Sequence, residues 1–294
     1  MFRLSLAALR YRAVLSLDGG PIDSLEEGPF EVFGRRFFQA NARLEANLVP
    51  WRPKQLYSDA DGTGLHSSPM IASHMAISEA LERWAYYATV DSPSKRTHGF
   101  HIDPSSNGMA AFPGLLRHNA RTKARLEAGE RYCLLHWWER RIDGKVLATR
   151  WPGITAVCIT SPLGGCAVIL FMRSDQGFYA YGHAAAATFD KACEHARLEL
   201  VRHEWAISSW NRLGGRQPPQ NTFEHRAWYF STDEGYGLFQ ERLGMKVKSL
   251  LPRPEAICDS EIRGPWSRYT TVWRYLLRPP SSRFAGADGR YFFW

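Results

Sequence analysis

Two segments of this 294-residue chain carry one six-residue pattern: Glu79-Ala80-Leu81-Glu82-Arg83-Trp84 and Glu127-Ala128-Gly129-Glu130-Arg131-Tyr132. No other feature limits the fold as much. Residues three apart are neighbours on a helix, so each segment sets two carboxylates on one face with an arginine beside them. Ser68-Pro69 supplies an N-cap and a first-turn proline for the first helix. Met70, Ile77, Leu81, Trp84 and Ala88 then recur as an apolar stripe, predicting a helix over 69–88 with Met75, Glu79, Glu82 and Tyr86 on the opposite side. The second copy predicts a helix between Pro113 and Trp138. Either copy alone is an ordinary exposed i,i+4 ion pair, Glu79 with Arg83 or Glu127 with Arg131. Two copies brought together would instead repel unless a cation intervened, which suits a hard divalent metal with phosphate oxygens completing its shell.

The remaining elements come in blocks. Residues 29–49 alternate bulky and polar side chains around Gly34, predicting two strands joined by a turn. Residues 147–183 read as three strands, with Leu163-Gly164-Gly165 making a hairpin of the last two. Thr188 caps a third helix whose stripe is Phe189, Ala192, Cys193, Ala196, Leu200 and Ile207. Beyond residue 213 a helix is expected at Gly235 to Leu243 and a strand at Tyr269 to Leu277. The fold class that follows is α+β: mixed β-sheets carrying three amphipathic helices with convergent polar faces. No linker separates domains, so residues 1–294 read as one domain with a motif-bearing core at about 60–275.

Composition removes several alternatives. A chain of this length buries roughly three quarters of its unfolded surface and needs no covalent staple. Its five cysteines, Cys133, Cys158, Cys166, Cys193 and Cys258, include no CxxC pair, which argues against a disulfide framework or zinc knuckle and for a reducing, cytoplasmic setting. No apolar run approaches a membrane span. The arginine-bearing stretch Met1 to Leu17 reads as a strand or helix of the fold rather than a targeting segment. The net charge of +8 favours acidic partners. Seven arginines between Arg253 and Arg290, interleaved with aromatics, could make a single-strand nucleic-acid surface, but a solvated edge is the preferred reading. His195, Glu199 and His203 have a zinc-compatible spacing, yet His203 falls on the apolar stripe and reads as a buried structural histidine. Neither a nucleophile elbow nor a Walker loop is present.

The motifs, in their order, resemble the YcaO family of ATP-dependent enzymes that activate backbone amides. Asp61-Gly62-Thr63-Gly64 before the first glutamate helix is similar to that family's Gly-Lys-Gly turn and Ser-x3-Glu-x2-Glu-Arg motif. Ser106-Asn107-Gly108-Met109-Ala110, followed by Lys123-x3-Glu127-x2-Glu130-Arg131, resembles its Asn-Gly-x-Ala loop and Gln-x3-Glu-x2-Glu-Arg motif. Gly182, the alanine run and His195-x3-Glu199-x2-Arg202 resemble its third helix. The resemblance implies that Glu79, Glu82, Glu127, Glu130 and Glu199 hold Mg2+, and that Gly62, Gly64, Arg83, Asn107, Lys123, Arg131 and Arg202 bind ATP. It implies that an amide oxygen of a peptide or protein substrate attacks ATP, leading to an azoline, a thioamide or an amidine. Cyclodehydratase and thioamidation activities are the family's forms of this chemistry.

The chain also departs from the family pattern. Thr63 stands in place of lysine, Met75 of serine, Lys123 and Arg202 of glutamine, and His195 of the third motif's small residue. Lys123 and Arg202 bring cations to the expected metals and could neutralise the carboxylates themselves. The alternative is therefore a catalytically degenerate YcaO-like recognition or scaffold protein, with nucleic-acid binding through the arginine-rich segment a more distant third. The terminal Tyr291-Phe292-Phe293-Trp294 lacks a proline-rich end, and peptide recognition is expected to come from a separate partner protein.

Overall fold

The computed structural model describes residues 5–50, 55–215, 217–248, 253–278, 281, 283–284 and 288–294. It divides into two compact units. Unit one comprises Met1–Pro53, Asp59–Ala128 and Glu255–Arg278, and unit two comprises Lys54–Ser58, Gly129–Pro254 and Pro279–Trp294. The architecture is α+β, and within the named sheets every strand pair is antiparallel.

In unit one a short helix α1 (Ala7–Arg10) precedes β1 (Ile22–Val32), β2 (Arg35–Leu44) and β3 (Gly62–His66), which pair in the order β1-β2-β3. Phe33 and Gly34 both take positive φ, 49° and 70°, giving the mirror-image turn whose twist suits a hairpin. Helix α2 (Pro69–Val90) begins at the N-cap Ser68 and packs on β3 and β2. Its buried residues are mostly small: Ala72, Ser73, Ala76, Ser78, Ala80, Ala85 and Thr89, with Ile77 and Leu81. The expected apolar stripe is thus only partly right, since Met70 and Ala88 are exposed. The reason lies in β3. A Cβ on Gly62 would come within 2.1 Å of the Ala76 carbonyl oxygen, and one on Gly64 within 1.9 Å of that of Ala72. The helix lies on bare strand backbone, and only small residues permit that approach.

A second sheet of unit one, ordered β4-β10-β9, combines β4 (Met109–Phe112), β9 (Glu255–Ile262) and β10 (Thr271–Arg278). Arg274 of β10 is fully buried. Its guanidinium donates to the carbonyls of Asp103 (2.9 Å), Ser105 (2.7 Å) and Asn107 (2.8 Å) and lies 4.4 Å from the Phe100 ring. One of the seven arginines read as a solvated edge is therefore a pin holding the loop before β4. Arg263 pairs with Glu261 at 3.1 Å, and in unit two Arg290 pairs with Glu234, also at 3.1 Å. Charges already satisfied in this way leave less of the segment for phosphate.

Helix α3 (His118–Trp138) contributes its first turns to unit one and the rest to unit two. Unit two continues with β5 (Lys145–Ala148), β6 (Thr155–Thr160), β7 (Cys166–Arg173) and β8 (Tyr179–Ala186), paired in sequence order. The hairpin between β6 and β7 is the expected one, with Gly164 and Gly165 at φ 96° and 75°. Helix α4 (Phe189–Arg212), capped by the Thr188 hydroxyl, covers β8 and β7. Helices α5 (Thr222–Phe230) and α6 (Asp233–Gly244) follow. A dense core joins Trp137, Tyr181, Phe230 and Phe239 to Tyr291, Phe292 and Phe293 of the last segment. All five cysteines are free thiols, and among the described residues no helix is long and apolar enough to cross a membrane.

Candidate functional site

In unit one the acidic face of α2 is engaged by strand backbone. Glu79 accepts from the Thr63 N–H at 3.0 Å through Oε2, and its Oε1 lies 3.7 Å from Arg83 Nη2. Glu82 accepts from the Ala111 N–H of β4 at 3.2 Å. Burial, and then the neighbouring Glu79 charge, push the Glu82 carboxyl up to about 7, while Arg83 and Lys123 pull it the other way. Lys123 Nζ also lies 5.9 Å from the centroid of the Phe112 ring. Unit one thus holds two carboxylates with two cations near them, and Glu82 remains an acid poised close to neutrality.

Unit two holds a comparable group on α3, β8 and α4. Glu130 takes two donors from β8: its Oε1 is 2.7 Å from His183 Nδ1, and its Oε2 accepts the Ala185 N–H at 2.9 Å. Desolvation lowers the His183 pKa, but the hydrogen bond and charge of Glu130, with the charge of Glu199, outweigh it and raise the pKa overall. Glu199 is chelated by Arg202 Nη1, which donates to Oε1 at 3.0 Å and to Oε2 at 3.2 Å. The two carboxylates of this group are thus bound by one guanidinium and one imidazole of the chain itself.

The other residues singled out from the sequence take varied places. Gly62 and Gly64 lie in β3, where their missing side chains admit α2. The Asn107 carbonyl is bound by Arg274, and the carbonyl of the adjoining Gly108 accepts from Tyr275 N at 2.6 Å. Arg131 is buried, its guanidinium carbon 4.3 Å from the centroid of the Phe284 ring, a placement that favours packing. Glu127 is half-buried on α3. The zinc-compatible spacing on α4 makes no metal site, because His203 uses both ring nitrogens. Its Nδ1 accepts from Tyr181 N at 3.0 Å, and its Nε2 donates to the Ala227 carbonyl at 3.1 Å. Burial lowers its pKa to about 4, so it is neutral.

Among the described residues no group of three or more His, Cys, Asp or Glu side chains is arranged to hold a metal ion. Glu79 and Glu199 each have an arginine partner in the chain, Glu130 is bound by His183 and the Ala185 N–H, and Glu82 is tied to backbone.

His183 and the N–H groups of Ala111 and Ala185 went unread in the sequence. A signal for His183 exists. The spacing Gly-x5-Ser/Thr-x3-Ala-x3-Ala-x2-Glu occurs at Gly62 to Glu79 and again at Gly182 to Glu199, which makes His183 the counterpart of Thr63, the residue whose N–H binds Glu79.

No family model matches the chain, and no curated protein is significantly similar to it in sequence. Among solved structures it is similar to a chain of the E. coli microcin synthetase McbBCD complex with pro-MccB17 bound. The TM-score is 0.52 at 12% identity, over 85% of this chain and 86% of that one. A second match, to the E. coli microcin synthetase McbBCD complex, has a TM-score of 0.52 at 12% identity over 86% of both chains. At such identity the likeness is one of fold, and the α+β architecture is shared with a chain from a multi-protein synthetase.

Proposed function

We propose that this chain is a YcaO-like protein of peptide or protein modification, and that its part there is recognition or scaffolding rather than ATP-driven amide activation. The observation that carries the reading is the charge balance in unit two. Arg202 chelates Glu199, and the His183 imidazole bonds Glu130, so these two of the five carboxylates that the sequence resemblance assigned to magnesium already have side-chain partners in the chain. A divalent ion beside a carboxylate with a guanidinium at hydrogen-bond distance meets like-charge repulsion and must also lose water to bind. The likeness in fold to a chain from a synthetase assembly supports a role beside other proteins, with a peptide or protein as the molecule recognised.

A second reading, the ATP- and Mg2+-dependent enzyme, is favoured by one observation. The Glu79 charge helps to disfavour that of Glu82, as at an incomplete cation site. Calorimetric titration with a non-hydrolysable ATP analogue and Mg2+, together with phosphate release from ATP, separates the two. The proposal expects no saturable binding and no release above buffer. Saturable binding abolished by both Glu79→Gln and Glu130→Gln would overturn it and establish the nucleotide reading.

A further inference from the structure

Unit one carries a cationic cavity of about 670 Å3, within the range of small-molecule sites, whose lining includes none of the glutamates above. Arg10, Arg12 and Arg268 contribute three guanidinium groups, Asp18 one carboxylate, and Leu9, Ala13 and Tyr269 the less polar surface. Arg10 is pre-positioned, because its Nη2 donates to the Ser267 carbonyl at 2.8 Å and its Nη1 reaches the Gly114 carbonyl at 3.5 Å. Arg268 lies 5.5 Å from the Tyr269 ring. Among the described residues none of the three forms an ion pair, nor does Asp18. The wall therefore keeps an excess of two positive charges.

Arg10 is half-buried and held by carbonyls, Arg12 and Arg268 stand exposed beside it, and three guanidinium groups lining one cavity favour a doubly charged oxyanion. Planar guanidinium forks suit the oxygens of a phosphate, and the aromatic and aliphatic lining suits a small apolar body attached to it. We infer that this cavity binds a dianionic phosphate monoester, with the phosphate among Arg10, Arg12 and Arg268 and the organic group against Tyr269, Leu9 and Ala13.

The full-length chain titrated calorimetrically with phenyl phosphate, and separately with inorganic phosphate, tests this. Arg12 and Arg268 are exposed, so the Arg12→Gln/Arg268→Gln double variant preserves the fold. Arg35→Gln/Arg36→Gln, on the exposed end of the first hairpin, removes the same charge elsewhere and is the control. The expected results are saturable binding of phenyl phosphate, tighter than inorganic phosphate, weakened at least tenfold in the double variant and unchanged in the control. Equal affinity in wild type and double variant, or an equal loss in the control, would overturn the assignment, the second outcome reducing the effect to net charge. Absence of saturable phenyl phosphate binding to the wild type would also overturn it.

Discussion

The strand–helix pair β3–α2 in unit one and the pair β8–α4 in unit two are built to one plan, with equivalent residues 120 positions apart. Gly62 and Gly182 both lie under a helix carbonyl, where a Cβ would come within 2.1 and 2.2 Å of the oxygens of Ala76 and Ala196. Ser68 and Thr188 begin the helices, and Glu79 and Glu199 occupy the same step. The next positions diverge. Glu82 and Arg83 in the first pair correspond to Arg202 and His203 in the second. One frame thus keeps a tense acid pair, whereas the other trades its second acid for a cation and its arginine for a buried neutral histidine. The backbone plan is set by glycine and alanine, so the charged positions can change without altering it.

If the plan is common, both glycines must be indispensable. Gly62→Ala and Gly182→Ala should each cost about 3 kcal/mol, because the atom met is a helix carbonyl rather than a yielding side chain. Denaturant unfolding measures this, and full stability in either variant would break the equivalence.

The next difference is one of pH, with opposite sign in the two frames. Folded His203 titrates at about 4, below its usual 6.5, so its contribution is complete above pH 6.5 and is lost as pH falls toward 4. The amount is about 3 kcal/mol for a fully buried group. Following the unfolding midpoint from pH 7 to pH 4.5 should show this decline, and His203→Gln should flatten it. A wild-type profile without acid sensitivity in that window would contradict a buried neutral histidine.

Glu82 runs the other way. Its folded pKa of about 7 lies above the usual 4.5, so the folded chain retains a proton that the unfolded chain releases, and stability falls as pH rises from about 4.5 to 7. Glu82→Gln keeps an oxygen for the Ala111 N–H while removing the repulsion from Glu79. At pH 8 it should stabilise the protein by about 1 kcal/mol, discounted for solvent screening, and at pH 4 by nothing. Destabilisation at pH 8 would mean that the carboxylate is satisfied as it stands.

Much of this frame was legible from residues alone. Alternation gave the β1–β2 hairpin, Gly164-Gly165 gave the β6–β7 turn, and Ser68-Pro69 and Thr188 marked two helix starts. Helix α5 escaped because Thr222-Phe223 and Trp228-Tyr229-Phe230 are weak helix formers, ordered here by packing and by the Asn221 cap. Strand β9, Glu255–Ile262, is polar and lies at a sheet edge, so it lacks an apolar alternation to read. The glutamates were visible through their helical spacing, but their partners were not. Glu82 is bound 29 residues away and Glu130 up to 55 away, by backbone N–H groups that any residue type could supply.

The smallest expected effect separates chemistry from stability at Glu199. Its side chain is 51% exposed and that of Arg202 26%, so the pair lies largely in water, where ion pairs contribute a few tenths of a kcal/mol. Arg202→Gln should therefore change the unfolding free energy by less than about 0.5 kcal/mol, and 1 M NaCl should erase most of the difference. What the substitution does alter is the charge balance, leaving Glu130 and Glu199 with the His183 imidazole as their side-chain partner. Thermal unfolding with and without 10 mM Mg2+ reads the consequence. The wild type should be indifferent to the ion, while the variant, which has lost the guanidinium beside Glu199, should gain stability from it. Equal indifference in both would show that Arg202 is not what keeps a divalent ion away from α4, and that the two frames differ in less than their charges suggest.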